Sequence, residues 1–235
     1  MKLRQAASKL SPGSNTESAL SPAELWRDAV AHLKSADAVL GRIIDSLGPC
    51  GLAPRSGGFP ALVDIIAAQQ VSKYAAESIR RRLRASFGDP PDAATVAAAR
   101  PQRLRGCGLS GAKAKYIREL AREIVAGRLD FEHLHAQDDA AAIERLVALN
   151  GIGRWTAEIY LMFVLTRPDI FPVGDGALRN VICEHYSLRK SAPLKRFEKI
   201  ATAWTPYRTV ASWYLYAWIN SERAKKRAAK DGPMM

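Results

Sequence analysis

Hardly any segment of this chain alternates apolar and polar residues with period two; its apolar residues recur every three or four positions. Such a chain has no face to lay on a sheet, so it must bury helices against helices. The fold class is therefore all-α with short connections. Ser21-Pro22-Ala23-Glu24 has the form of an N-cap, a first-turn proline and a capping-box glutamate. The apolar spacing of Trp26, Val30, Leu33, Val39, Leu40, Ile43 and Ile44 then predicts a helix as far as Gly48. After a Pro/Gly/Ser loop at 49–58, a long helix is predicted from Pro60 to Phe87, stopped by Gly88-Asp89-Pro90-Pro91. Further helices are predicted over 92–99, 111–126, 138–148, 154–165, from Asp175 onward, 193–204 and 206–224.

Residues 1–22 are rich in Ser, Pro, Gly and Asn without an apolar period, and read as a disordered leader. Residues 23–220 read as the folded domain and 221–235 as a basic C-terminal tail. The formal net charge is +12, and the two ends carry less than half of it. A basic body, beyond basic tails, points to a polyanionic partner such as nucleic acid. Cys50, Cys107 and Cys183 make neither a disulfide framework nor a metal spacing, which suits a reducing compartment. His32, His133, His135 and His185 show no metal spacing either, so no metal is expected. The longest apolar run, Ile159 to Leu165, is too short to span a bilayer, and the N-terminus lacks the apolar stretch of a secretory signal. No membrane partner is expected.

Leu149-Asn150-Gly151-Ile152-Gly153-Arg154-Trp155-Thr156-Ala157 is a tight turn feeding an apolar helix. Its glycines permit positive φ and close approach of another surface, and the helix start offers unpaired N–H groups to a phosphate oxygen. On the glycines alone, an ordinary helix connection with a Gly C-cap is the better reading.

The wider pattern resembles the HhH-GPD superfamily of DNA glycosylases. After the hairpin come an apolar helix, Ile159 to Leu165, and a loop, Phe171-Pro172-Val173-Gly174-Asp175, whose aspartate stands 22 positions after Gly153. Ala68-Gln69-Gln70-Val71-Ser72-Lys73 and Gly108-Leu109-Ser110-Gly111-Ala112-Lys113 are similar to segments of the alkylbase branch. So are Pro206-Tyr207-Arg208 and Ala211-Ser212-Trp213-Tyr214-Leu215 near the C-terminus. The likeness covers about residues 60–220. It implies two packed helical subdomains with the active-site cleft between them. It also implies excision of alkylated purines of the 3-methyladenine type from double-stranded DNA in base excision repair, by a monomer. The expected location is where DNA lies: cytoplasmic and nucleoid-associated, or nuclear.

The chemistry that the resemblance implies has a physical logic. Breaking a C1′–N bond makes the sugar positive, and a carboxylate beside C1′ stabilises that charge. Asp175 is that carboxylate; alone, it reads as the N-cap of the helix beginning at Gly176, and the two roles are compatible. Where lyase relatives carry a nucleophilic lysine after the hairpin, this chain has Trp155, so no Schiff base is expected. A cationic base needs electron-rich rings, for which Trp155, Tyr160, Trp213, Tyr214, Tyr216 and Trp218 are candidates; the family often has a second Trp at the place of Tyr216. A flipped base leaves a gap, which Gln70 is placed to fill, while Gln69 is expected to turn inward. Ser72, Lys73, Ser110, Lys113, Gly151, Gly153, Arg154, Thr156 and Arg179 are candidate DNA contacts. No cofactor is expected, apart from a monovalent cation that hairpins of this family can hold through backbone carbonyls. Two alternatives remain open at the level of sequence: a glycosylase for another damaged or mismatched base, and a non-catalytic DNA-binding protein of the same fold.

Overall fold

The structure is a computed structural model that describes residues 21–55 and 57–230. Most of the leader, 1–20, lies outside the described residues, as do the last five. Every regular element among the described residues is a helix. They form two compact units. The terminal unit joins the described residues up to Ala53 with those from Thr166 onward, and the central unit is Pro54–Leu165.

The terminal unit begins with α1 (Pro22–Leu25), α2 (Arg27–Ala36) and α3 (Ala38–Leu47). The capping box at Ser21 and Glu24 forms as the sequence implies. The single helix expected over this stretch is instead three. Asp37 interrupts it because its carboxylate caps α3, taking the N–H groups of Val39 and Leu40 at 2.9 and 3.0 Å. Its second oxygen accepts from the Tyr186 hydroxyl at 2.7 Å and the Trp204 indole at 2.8 Å. One carboxylate thus ties α2 and α3 to the second half of the unit. Leu33, Leu40, Ile43, Phe197, Trp204 and Leu215 fill the core around it.

The central unit contains α4 (Phe59–Ala68), α5 (Lys73–Phe87), α6 (Ala93–Ala98), α7 (Pro101–Gly106), α8 (Gly111–Val125), α9 (Phe131–Ala136), α10 (Asp139–Val147) and α11 (Arg154–Phe163). Leu62, Ile66, Leu83, Leu104, Ile117, Leu146 and Leu161 make its core. The long helix expected from Pro60 to Phe87 breaks after Ala68, and α5 restarts after Ser72, whose side chain caps it by accepting the Ala75 N–H. Between them Gln70 adopts a left-handed φ of 52°. The loose end of α4 is closed from outside: the Lys113 ammonium donates to the carbonyls of Ala67 and Gln69 at 3.0 and 2.5 Å. These bonds replace the N–H groups that another helical turn would have supplied. Two short helices, α7 and α9, were not expected; a first-turn Pro101 and an Asp130 cap start them.

The chain then returns to the terminal unit with α12 (Gly176–His185), α13 (Leu194–Ala201), a 3₁₀ turn (Thr202–Trp204) and α14 (Arg208–Lys230). The last helix extends beyond residue 224, so the first ten residues of the expected tail are helical. The three cysteines are buried free thiols. No described helix is long and apolar enough to cross a membrane.

Asp37→Ala removes a helix cap and strands two donors. A loss of about 3 kcal/mol is expected, combining cap removal with unpaired buried donors. Urea denaturation checks this, and Asp37→Asn, which keeps an acceptor at the cap, loses less.

Candidate active site and DNA-facing elements

The turn between α10 and α11 is built by packing. Gly151 has φ of 82°, and a Cβ there would lie 2.3 Å from the Tyr116 ring. Glycine is therefore demanded twice, by the backbone and by Tyr116. Ile152 is buried and plugs the turn into the core. Gln69, from the α4–α5 turn, donates to the Gly151 carbonyl at 3.2 Å and to the Thr156 hydroxyl at 3.0 Å. It is turned inward, and two sequence-distant turns become one piece.

Gly153 differs. Its φ of −84° suits any residue, and a Cβ on it would meet nothing. It caps α11 with no side-chain bond to the N–H groups behind it. The fold does not require a glycine here, whereas a phosphate approaching the helix start would. Arg154, next in line, is exposed and bonds Glu158 at 2.9 Å. Burial raises the pKa of Glu158, and the charge and hydrogen bond of Arg154 oppose that rise.

Two expected DNA contacts are spent inside the protein. Thr156 is buried at 2 % exposure and serves Gln69. Lys113 points into the end of α4, and burial draws its pKa down. Ser72 and Ser110 cap α5 and α8. Gln70 and Lys73 remain exposed on the α4–α5 turn. Beside them are Val71, 39 % exposed, and Tyr74, 66 % exposed, which sequence reasoning passed over. In sequence both read as apolar positions of a helix, and only the placement of their neighbours shows them exposed at one turn.

Asp175 ends the loop before α12 and is 8 % exposed. Its Oδ1 accepts the N–H groups of Ala177 and Leu178 at 2.7 and 2.9 Å. Its Oδ2 accepts the Tyr216 hydroxyl at 2.9 Å. Gly174 and Gly176 flank it, both exposed, and a Cβ on either would meet nothing. A ligand can thus approach the carboxylate closely on each side of its backbone. The loop is fastened to the start of α14. Arg208 grips Asp169 with two bonds of 2.7 and 2.9 Å, and the Thr209 hydroxyl accepts from Ile170 N–H and donates to the Arg167 carbonyl. Arg179, one turn into α12, is half-buried, and its Nε–H has no hydrogen-bond partner.

The aromatic candidates divide. Tyr160 and Tyr214 are fully buried, which corrects their expected place in a pocket. Tyr160 accepts the Gly58 N–H at 3.1 Å, and burial pushes its phenol up to about 12. Tyr214 donates to the Gly48 carbonyl at 3.0 Å. Trp218 is also corrected: two residues beyond Tyr216, it lies on the other side of α14. There it packs edge-on to His185 with Lys225 over its face. Trp213 packs edge-on to Tyr214 and against Gly51, half-buried. Tyr216 and Trp155 are half-buried, Tyr216 on Asp175 and Trp155 in the first turn of α11.

A groove of about 700 Å³ in the central unit holds none of these residues. Its charged lining is largely self-paired: Arg80 and Arg84 face Asp64, and Arg84 also faces Asp89. Among the described residues no group of three His, Cys, Asp or Glu side chains could hold a metal ion. In the hairpin, the carbonyl of Leu149 accepts the Ile152 N–H and the carbonyl of Gly151 accepts from the Gln69 side chain.

Residues 63–206 match the HhH-GPD superfamily of base excision DNA repair proteins. The alkylbase DNA glycosidase-like protein mag2 of Schizosaccharomyces pombe is 28% identical over 197 residues, covering 81% of this chain and 92% of that protein. The structure of the 3-methyladenine DNA glycosylase of the same yeast, in complex with abasic DNA, has a TM-score of 0.74 at 27% identity, covering 80% of this chain and 95% of that one. A DNA-3-methyladenine glycosidase of Bacillus halodurans has a TM-score of 0.70 at 33% identity, covering 80% and 88%. The coverage on both sides places the likeness in whole proteins and not in the hairpin alone.

The two hairpin glycines should respond differently to alanine. Gly151→Ala is expected to lose about 2 kcal/mol or more of stability, from strain and overpacking. Gly153→Ala should leave the denaturation midpoint within error and weaken binding to duplex DNA several-fold. Urea titration and fluorescence anisotropy check the pair.

Proposed function

The chain belongs to the HhH-GPD superfamily of base excision DNA repair proteins, and from that premise we propose that it hydrolyses the C1′–N bond of alkylated purines in duplex DNA. One observation carries the reading: a buried carboxylate, Asp175, held at a helix start between two glycines whose open sides leave room for a sugar.

The C1′–N bond breaks first, and its electron pair leaves with the base. An N-alkylated purine is already cationic, so it departs neutral with no proton donor required. The sugar is left with oxocarbenium character, and Asp175 faces that charge. Preorganised charges of this kind are the largest catalytic contribution in many sites, because they need no rearrangement as the reaction proceeds. Water adds its oxygen to C1′ and loses a proton to Asp175 or to solvent. The products are a free base and an abasic site in an intact strand.

The remaining residues serve recognition. Trp155 offers a ring for the cationic base, a contact of about 0.5–2 kcal/mol. It offers no amine, so strand cleavage by the lyase route has no nucleophile. Gln70 is exposed at the tip of its turn, and its left-handed backbone thrusts it outward, which suits a side chain that fills the gap left by a flipped base. Gly153, Arg154 and the start of α11 receive phosphate. One chain carries every one of these groups, which supports reading it as a monomer that acts where DNA is.

Release of 3-methyladenine from methylated duplex, followed by chromatography, tests the proposal. Asp175→Asn should slow release by about 10²–10³-fold, the range for removing one preorganised electrostatic group, with duplex affinity retained. Release within a few-fold of wild type would reduce Asp175 to a cap. Duplex binding without release by the wild-type chain would favour a DNA-binding role alone. Borohydride should trap no covalent DNA adduct. DNA affinity should fall by about tenfold or more between 50 and 200 mM salt as phosphate contacts release counterions.

A further inference from the structure

We infer that the Tyr216 hydroxyl is a positioning group for the catalytic carboxylate, fixing the orientation of Asp175 through Oδ2. The inference rests on the assignment of Asp175 given above and extends it to a residue that the sequence marked only as an aromatic wall.

The geometry argues for the hydroxyl and not merely the ring. An aspartate carboxylate turns about Cβ–Cγ, a torsion with broad, roughly two-fold preferences. The helix N–H groups of Ala177 and Leu178 both bind Oδ1. These two bonds hold one oxygen and leave the direction of the other to the groups around it. The Tyr216 hydroxyl takes Oδ2 at 2.9 Å from a different helix, and two anchors on two oxygens fix the plane. A bond to an ionised acceptor is also among the stronger hydrogen bonds.

The surroundings hold Tyr216 to this task. Its helix is fastened to the loop bearing Asp175 by the Arg208–Asp169 pair and by Thr209 on the backbone of Arg167 and Ile170. One turn earlier on α14, Ser212 bonds the Arg208 carbonyl, and Tyr214 reaches the Gly48 carbonyl. Donor and acceptor therefore ride on elements locked to each other within one unit.

Catalysis by a fixed charge is sensitive to its placement, and an error of 1 Å can cost about a hundredfold. The test compares Tyr216→Phe, which keeps the ring, with Tyr216→Leu, which removes ring and hydroxyl. Each is measured by single-turnover base release, by affinity for a duplex containing an abasic site, and by urea midpoint. Tyr216→Phe should slow release about tenfold or more while affinity and midpoint stay within twofold and within error respectively, and Tyr216→Leu should slow it at least as much. If Tyr216→Phe matches wild type while Tyr216→Leu is slow, only the ring matters and the inference is wrong. It is equally wrong if both match wild type, or if the loss in Tyr216→Phe lies wholly in affinity. Asp175→Asn, run alongside, separates the two levels. Were it as active as wild type, the assignment beneath would fail; were it inactive with Tyr216→Phe fully active, only the role of Tyr216 would.

Discussion

The Asp175 carboxylate is held by donors from two helices of the terminal unit, and its position depends on how those helices are fixed. The Ala177 and Leu178 N–H groups exist because α12 begins at Gly176, and the Tyr216 hydroxyl arrives because α14 is bolted to the loop ahead of it. Arg208, Asp169 and Thr209 have no need to touch a substrate to matter. They keep a loop and a helix in register, and the register delivers the Tyr216 hydroxyl. A carboxylate with 8 % exposure is secured in this way before any ligand arrives. Charge stabilisation without rearrangement requires that preorganisation.

The central unit follows the same logic with different residues. A helix that stops early leaves carbonyls without partners, and Lys113 supplies them. Stopping there frees Gln69 to reach the hairpin and leaves Gln70 at the tip of the turn. The exposed tip and the hairpin are thus held together by side chains rather than by a continuous helix. The division of labour between the hairpin glycines repeats the theme: Gly151 is spent on internal packing, while Gly153 leaves space outside.

Helical periodicity made the fold class and most helix positions legible from sequence, because caps such as Ser21, Asp92, Ser110 and Asp138 announce themselves locally. Breaks inside apolar stretches were not legible. Asp37 and Ser72 sit in patterns that continue helically on either side, and the partners that favour a break come from distant residues. The site shows a similar split. Asp175 as the cap of α12 was readable from motif and spacing. That Thr156 and Lys113 face inward, that Tyr160 and Tyr214 are core, and that Tyr216 bonds the carboxylate all depend on rotamers and helix phase. Spacing alone cannot reveal these. The exposed Val71 and Tyr74 were hidden for the same reason, since an apolar residue in a helical pattern reads as core until its neighbours are placed.

The central claim is that Asp175 acts as a fixed negative charge facing a sugar that becomes positive. It is tested most directly by the affinity of the full chain for two duplexes. One carries a pyrrolidine ring in place of the target sugar, protonated at nitrogen, and the other a neutral tetrahydrofuran ring of the same shape. The account predicts that the wild-type chain prefers the cationic duplex by about tenfold or more, as expected for a close charge pair in a partly buried site, and that Asp175→Asn loses that preference. Equal affinity for the two duplexes in the wild type, or an undiminished preference in Asp175→Asn, would contradict it.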